Sequence, residues 1–172
     1  MTPEFSRPER VDTIGERARA VEITADAAER AALAHRFDLV AIDRLEAQLS
    51  LRRDGGGIAV TGTVTAAVVQ ACSVTDEPLA VAIEESVALR FVDMLDRGEE
   101  IELDEGALDV VEIADGIIDL GETAAETMAL ALDPFPRGPG AAAALKAAGV
   151  IGEDELVPFN ALTEALKAKL GR

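Results

Sequence analysis

Cys72 and His35 are the one cysteine and the one histidine of this chain, so nucleophilic or metal chemistry would have to run through them. A thiol becomes reactive when a cation or a helix N-terminus lowers its pKa. The sequence places Asp76 and Glu77 near Cys72 instead, and these act the other way. A lone cysteine at the end of a strand is expected to serve as a small buried apolar residue. His35 lies on a helical stretch with no cysteine or second histidine at ligand spacing, which argues against a zinc site. No nucleophile stands beside it for general-base work, so an exposed or half-buried helix residue is expected.

Two further patterns invite a chemical reading. Asp54-Gly55-Gly56-Gly57 has the glycines of a phosphate loop but lacks the following Lys and Ser/Thr. It also leads into a strand, whereas phosphate loops open helices, so it is expected to be a hairpin turn. Residues 93–115 are rich in Asp and Glu, yet the Asp-x-Asp-x-Asp-Gly spacing of a calcium loop is missing. A solvated acidic loop is expected there, with short extended pieces at 101–103 and 110–113. Asp119, Glu122 and Glu126 raise the question of paired-carboxylate catalysis. Asp119 with Glu122 is better explained as a helix cap. These residues specify no enzyme, no cofactor and no metal site.

Charge sets the next bound. The net charge is −17, unevenly spread: 9 basic and 11 acidic residues in 1–60, 2 and 18 in 61–135, and 5 and 4 in 136–172. The acidic middle repels nucleic-acid phosphates, which argues against DNA binding. Direct RNA contact would have to use the arginines of the first third, Arg7, Arg10, Arg17 and Arg19. The alternative is a solvated face in which Glu9, Asp12, Glu16 and Glu22 pair with them. A basic protein is the natural complement of the acidic middle. Apolar residues make up 49% of the chain, ample for a core, but with five Phe and no Trp or Tyr that core must be mostly aliphatic. No apolar run approaches the roughly 20 residues that span a bilayer, so no membrane is expected. The start MTPEFSRPER lacks an apolar signal region, and the single cysteine excludes an internal disulfide. A cytoplasmic location is therefore expected.

The elements that position these groups can be outlined from periodicity. A short edge strand is expected at 17–24. A helix follows, opened by Asp26 with Glu29 as a capping box and carrying a stripe of Ala27, Ala31, Leu33, Ala34 and Phe37. Three long strands come next, at 37–53, 58–72 and 79–92. In the first, Leu39, Ala41, Leu45, Ala47, Leu49 and Leu51 share a face; in the second, Ile58, Val60, Val64, Ala66, Val68 and Cys72 do. Short turns between them make an antiparallel meander. A helix starting at Asp119 buries Leu120, Ala124, Met128, Ala131 and Leu132 and stops before Pro134. A Pro/Gly-rich linker leads to a short helix at 141–148 and an amphipathic one at 161–170. The fold class is α+β: a curved antiparallel β-sheet or partly closed barrel, one helix near the N-terminus and helices at the C-terminus. Residues 1–135 are expected to form the main domain, and 136–172 a linker with a C-terminal helical segment.

The run VVQACSVTDEP at 68–78 resembles the Gln-x-Cys-x-x-Thr-x-Glu-Pro turn of the YceD family, the large ribosomal RNA subunit accumulation proteins. FSRPERVDTIGERARAVEITAD at 5–26, IDLGETAAETMALALDPFPRGPG at 118–140 and VPFNALTEALK at 157–167 look like the α-proteobacterial type of that family. The resemblance implies a non-catalytic factor in large-subunit biogenesis, supporting synthesis, processing or stability of the large ribosomal RNA. It marks Gln70, Cys72, Thr75, Glu77 and Pro78 at the turn, and Asp119, Leu120, Gly121 and Glu126 at the helix, as candidate partner-binding positions. Many family members carry paired cysteines at this turn. Ser73, Val74 and Thr75 stand here instead, so no metal or disulfide chemistry carries over. Joined to the acidic middle, the resemblance points to a basic ribosomal or ribosome-assembly protein as partner, with large-subunit RNA met indirectly. Direct RNA binding through the arginines is the alternative, although the chain lacks the aromatic platform of single-strand binders. An enzyme, such as a nuclease, is the third and least supported reading.

Overall fold

A computed structural model of the chain describes residues 3–93, 109–113 and 115–150. Its centre is an antiparallel meander of three long strands, β3 (Ala41–Asp54), β4 (Gly57–Ala71) and β5 (Pro78–Val92). Ahead of it come β1 (Pro8–Arg10), β2 (Arg19–Thr24) and helix α1 (Ala27–Arg36). Behind it come β6 (Asp109–Glu112), β7 (Ile117–Asp119), α2 (Leu120–Leu130) and α3 (Ala141–Ala147). The five-stranded sheet has the order β2-β3-β4-β5-β6, and β1 and β7 form a separate antiparallel pair. The class is α+β. The outer strands β2 and β6 do not pair with one another, so the described sheet is open rather than a barrel.

The period-2 pattern decides which face is buried. Ile58, Val60, Val64, Ala66 and Val68 lie in the core, with Gln70 and Cys72 continuing the same side. Thr61, Thr63 and Thr65 face outward or sit half-buried. Gly62 breaks the run because β3 passes too close: a Cβ there would stand 2.0 Å from the Gln48 carbonyl oxygen. On β5, Ile83, Val87 and Phe91 are buried, with Val81 and Leu89 packed partly against them. Leu33 and Ala34 of α1 and Leu120, Ala124, Ala125 and Met128 of α2 complete one core with the sheet. The Asp26–Glu29 capping box of α1 forms as expected. The last described helix also runs as expected, closing at Gly149 with φ +79°.

Five expectations need correction. The first long strand begins at Ala41, not at Phe37, because α1 ends in a turn with Asp38 at φ +54° and the Leu39 N–H donating to the Ala34 carbonyl. A bulge between Ile42 and Arg44 then shifts the phase, so Ile42 is buried with Leu45. The α1 stripe narrows, since Ala27 and Ala31 are exposed. The sheet is not wholly antiparallel: β6 pairs with β5 in parallel. Glu122 does not close a capping box on α2 but pairs with Arg36 at 2.6 Å. The extended piece at 101–103 and the helix at 161–170 lie outside the described residues, as does most of the acidic loop.

Candidate functional site

The turn joining β4 to β5 holds the Pro/Gly-rich segment that follows α2. Gln70 Nε2 donates to the Asp133 carbonyl at 2.9 Å, the Ser73 N–H to the Pro136 carbonyl at 2.8 Å, and the Gly138 N–H to Cys72 Sγ at 3.3 Å. Within the turn, the Cys72 N–H donates to the Glu77 carbonyl and the Asp76 N–H to the Cys72 carbonyl. Asp76 takes φ +57°, which an aspartate tolerates better than most residues. Thr75 Oγ1 stands 3.2 Å from Glu77 Oε2 and also close enough to polarise the Cys72 sulfur. Its single proton serves one of these acceptors at a time. Pro78 opens β5 opposite Ala71.

Cys72 is fully buried. The Gly138 N–H, then the Thr75 hydroxyl and the Val74 N–H, pull its thiol down to about 7 against an opposing burial effect. The lowering expected only from a cation or helix end comes instead from one amide of the folded linker, Gly138, together with hydrogen-bond donors of the turn itself. Gln70 is buried as well, and its Oε1 has no hydrogen-bond partner among the described residues. It lines a cleft of about 370 Å³ with Phe37, Asp38, Leu39 and Pro136.

The second motif segment sits at the other end of α2. Asp119 Oδ1 accepts from the N–H groups of Arg7 (2.8 Å), Gly121 (3.0 Å) and Glu122 (3.2 Å), and Oδ2 accepts from Ser6 Oγ at 2.6 Å. One carboxylate therefore caps α2 and ties down β1. The Leu120 N–H donates to the Arg7 carbonyl, and the Leu120 side chain is fully buried. Gly121 lies against Phe5: a Cβ would stand 2.3 Å from its carbonyl oxygen. Glu126 is exposed. The Asp119 cap and the Gln70–Pro78 turn are thus not one site, since α2, about 16 Å of helix that itself carries Leu120, Gly121 and Glu126, runs between Asp119 and the linker held by the turn.

The four N-terminal arginines divide three to one. Arg7 forks onto Glu29 at 2.7 and 3.0 Å, with its guanidinium 4.7 Å from the centre of the Phe5 ring. Arg10 pairs with Asp12 at 2.5 Å and Arg19 with Glu9 at 2.7 Å. Each partner hydrogen bond raises the arginine's pKa and lowers that of Asp12 and Glu29. Arg17 is exposed and makes no ion pair among the described residues. Arg36, which sequence reasoning did not single out, bridges Glu4 at 3.1 Å and Glu122 at 2.6 Å. Its partners lie 32 and 86 positions away, so no local pattern could have announced them. His35 is exposed, and no group of three or more His, Cys, Asp or Glu among the described residues could hold a metal. No helix among them is long and apolar enough to cross a membrane.

A family model described as "Large ribosomal RNA subunit accumulation protein YceD" matches residues 60–160. No curated protein and no solved structure matches the chain. The matched span covers more than half of the 172 residues, including the Gln70–Pro78 turn, α2 and the linker docked on the turn. Residues 5–26 lie outside it. The family's name links it to accumulation of large-subunit ribosomal RNA. The chain belongs to the YceD family.

Proposed function

We propose that this protein is a non-catalytic, cytoplasmic factor of the α-proteobacterial type of the family, supporting synthesis, processing or stability of large-subunit ribosomal RNA. It acts by binding a basic ribosomal or ribosome-assembly protein. The charge arrangement carries this reading: Arg7, Arg10, Arg19 and Arg36 are held in internal ion pairs, whereas Glu84, Glu85 and Glu126 are exposed with no partner among the described residues. A phosphate backbone would have to break several of those pairs, while a lysine- or arginine-rich protein meets free carboxylates. The binding unit is residues 1–135, with the acidic stretch 93–115 adding to its negative charge and 136–172 serving as linker and appended segment.

The test is affinity purification of the tagged protein from its own cells, with and without nuclease. A basic ribosomal or assembly protein that survives nuclease is the expected result. Large-subunit precursor RNA recovered without such a protein would instead favour RNA contact through Arg7, Arg10, Arg17 and Arg19, and refute the escort reading.

A further inference from the structure

β5 is bonded to β4 along its whole length, but on its other side β6 covers only Leu89–Val92. The remaining stretch, 79–88, makes no backbone hydrogen bond on that side among the described residues. Its outward groups follow from parity. The Val92 carbonyl accepts from the Ile113 N–H on the β6 side, and the β4–β5 register runs without a shift. The N–H and C=O groups of Ala80, Ala82, Glu84, Ser86 and Ala88 therefore point to the open edge. Pro78, which has no N–H to offer, falls on the same parity, while the Glu77 carbonyl, one residue off, serves the β4 side by accepting from Cys72.

Sheet edges are ordinarily guarded by lysines, prolines, bulges or short length. This one is about 33 Å long at strand rise. Between 79 and 88 it has no proline, lysine or bulge, and its exposed outward residues are alanine, serine and one glutamate. Charge is its one guard, through Glu84 and the adjacent Glu85, and that charge has one sign. A cleft of about 380 Å³ runs alongside, lined by Ser86, Ala88, Asp109, Thr127 and Leu130, where Leu130 is 88% exposed. The edge thus offers backbone groups, an apolar contact and carboxylates together.

We propose that the 79–88 edge of β5 receives an extended, lysine- or arginine-bearing segment of another protein as an added strand. This rests on the reading of a basic protein partner and says where and how that partner binds. Charge selects against two other occupants. A second copy pairing antiparallel about Glu84 and Glu85 sets like charges opposite one another, which destabilises cross-strand pairs. The chain's own segment 94–108 carries six acidic residues and one basic, the same sign as the edge.

The test uses the full chain and two eight-residue peptides, one alternating lysine with threonine and one alternating glutamate with threonine. Amide hydrogen exchange is read residue by residue. The lysine peptide is expected to slow exchange at Ala82, Glu84, Ser86 and Ala88 at least tenfold, and the glutamate peptide to leave them unchanged. Ala82→Pro removes one outward N–H without touching the β4 ladder. It is expected to weaken the lysine peptide about tenfold, equal to about 1.4 kcal/mol, with an unchanged circular dichroism spectrum. Glu84→Lys with Glu85→Lys is expected to abolish the preference for lysine without altering the fold. Edge amides already protected in the free protein, equal effects of both peptides, or protection elsewhere would overturn the inference. A nuclease-resistant basic partner retained undiminished by Ala82→Pro would overturn the edge and leave the escort reading standing. Edge protection by the lysine peptide with no such partner recovered from cells would do the reverse.

Discussion

Replacing Gly121 by alanine separates a scaffold role for the Ile-Asp-Leu-Gly-Glu segment from a role in contacting a partner. On helix propensity alone, Gly121→Ala should stabilise α2 by about 1 kcal/mol. The structure opposes this, because the new methyl would stand 2.3 Å from the Phe5 carbonyl oxygen and 3.1 Å from the Arg7 backbone nitrogen. Both neighbours are backbone, so the N-terminal strand must move as a unit. That movement strains the Leu120 N–H bond to the Arg7 carbonyl and the Arg7 N–H bond to the Asp119 carboxylate. A neutral hydrogen bond is worth about 1 kcal/mol and one to a charged group about 1.5–3, so after the propensity gain the expected net loss is about 2 kcal/mol. Urea unfolding is the assay, with an expected fall in midpoint of about 1 M at a typical slope. Gly15→Ala serves as control: nothing lies within 4 Å of its missing Cβ, and it should be neutral or slightly stabilising. A Gly121→Ala protein as stable as wild type would refute the close-approach argument and return this segment to the candidate contact surface.

Two other outcomes follow from the same geometry. The Cys72 thiol ionises near 7 in the fold against an ordinary value of 9.0, so it binds fewer protons folded than unfolded. Its stabilisation is full above pH 9, declines as pH falls toward 7 and is absent below. The melting-temperature gap between wild type and Cys72→Ser should therefore widen from pH 7 to pH 9, and a gap independent of pH would refute the lowered thiol pKa. Arg36→Ala removes the bridge to Glu4 and Glu122 and the contact 5.0 Å from the centre of the Phe37 ring. A loss of about 1 kcal/mol is expected for this half-exposed network, shrinking in 1 M salt; a loss unaffected by salt would mean that packing, not charge, is what Arg36 contributes.

The central meander, the Asp26 capping box and the end of α3 at Gly149 were legible because each is written within a few consecutive residues. Alternation over Ile58–Val68 assigns the buried face without reference to any other segment. The bulge at Ile42 and Arg44 was not legible, since both phases there carry apolar residues and only β4 decides between them. The bond partners of the turn motif were hidden for a similar reason. Gln70 and Cys72 sit in the expected strand, but the groups that hold them, Asp133 and Gly138, lie more than 60 residues on.

By itself the sequence determined the aliphatic core, the strongly acidic middle, the α+β class and the family resemblance of the turn and the α2 segment. These rest on local periodicity, composition and short motifs, which survive without three-dimensional information. Only the tertiary structure decided which charges remain free. Arg7, Arg19 and Arg36 find Glu29, Glu9 and Glu122 across 10 to 86 residues, and those pairings engage arginines that the sequence alone leaves free for a phosphate. It also decided that, among the described residues, β6 pairs with β5 only at Leu89–Val92, because strand pairing is settled by where chain segments meet in space. A sequence fixes how many charges and strands a chain has; the long-range contacts fix which of them are still available to a partner.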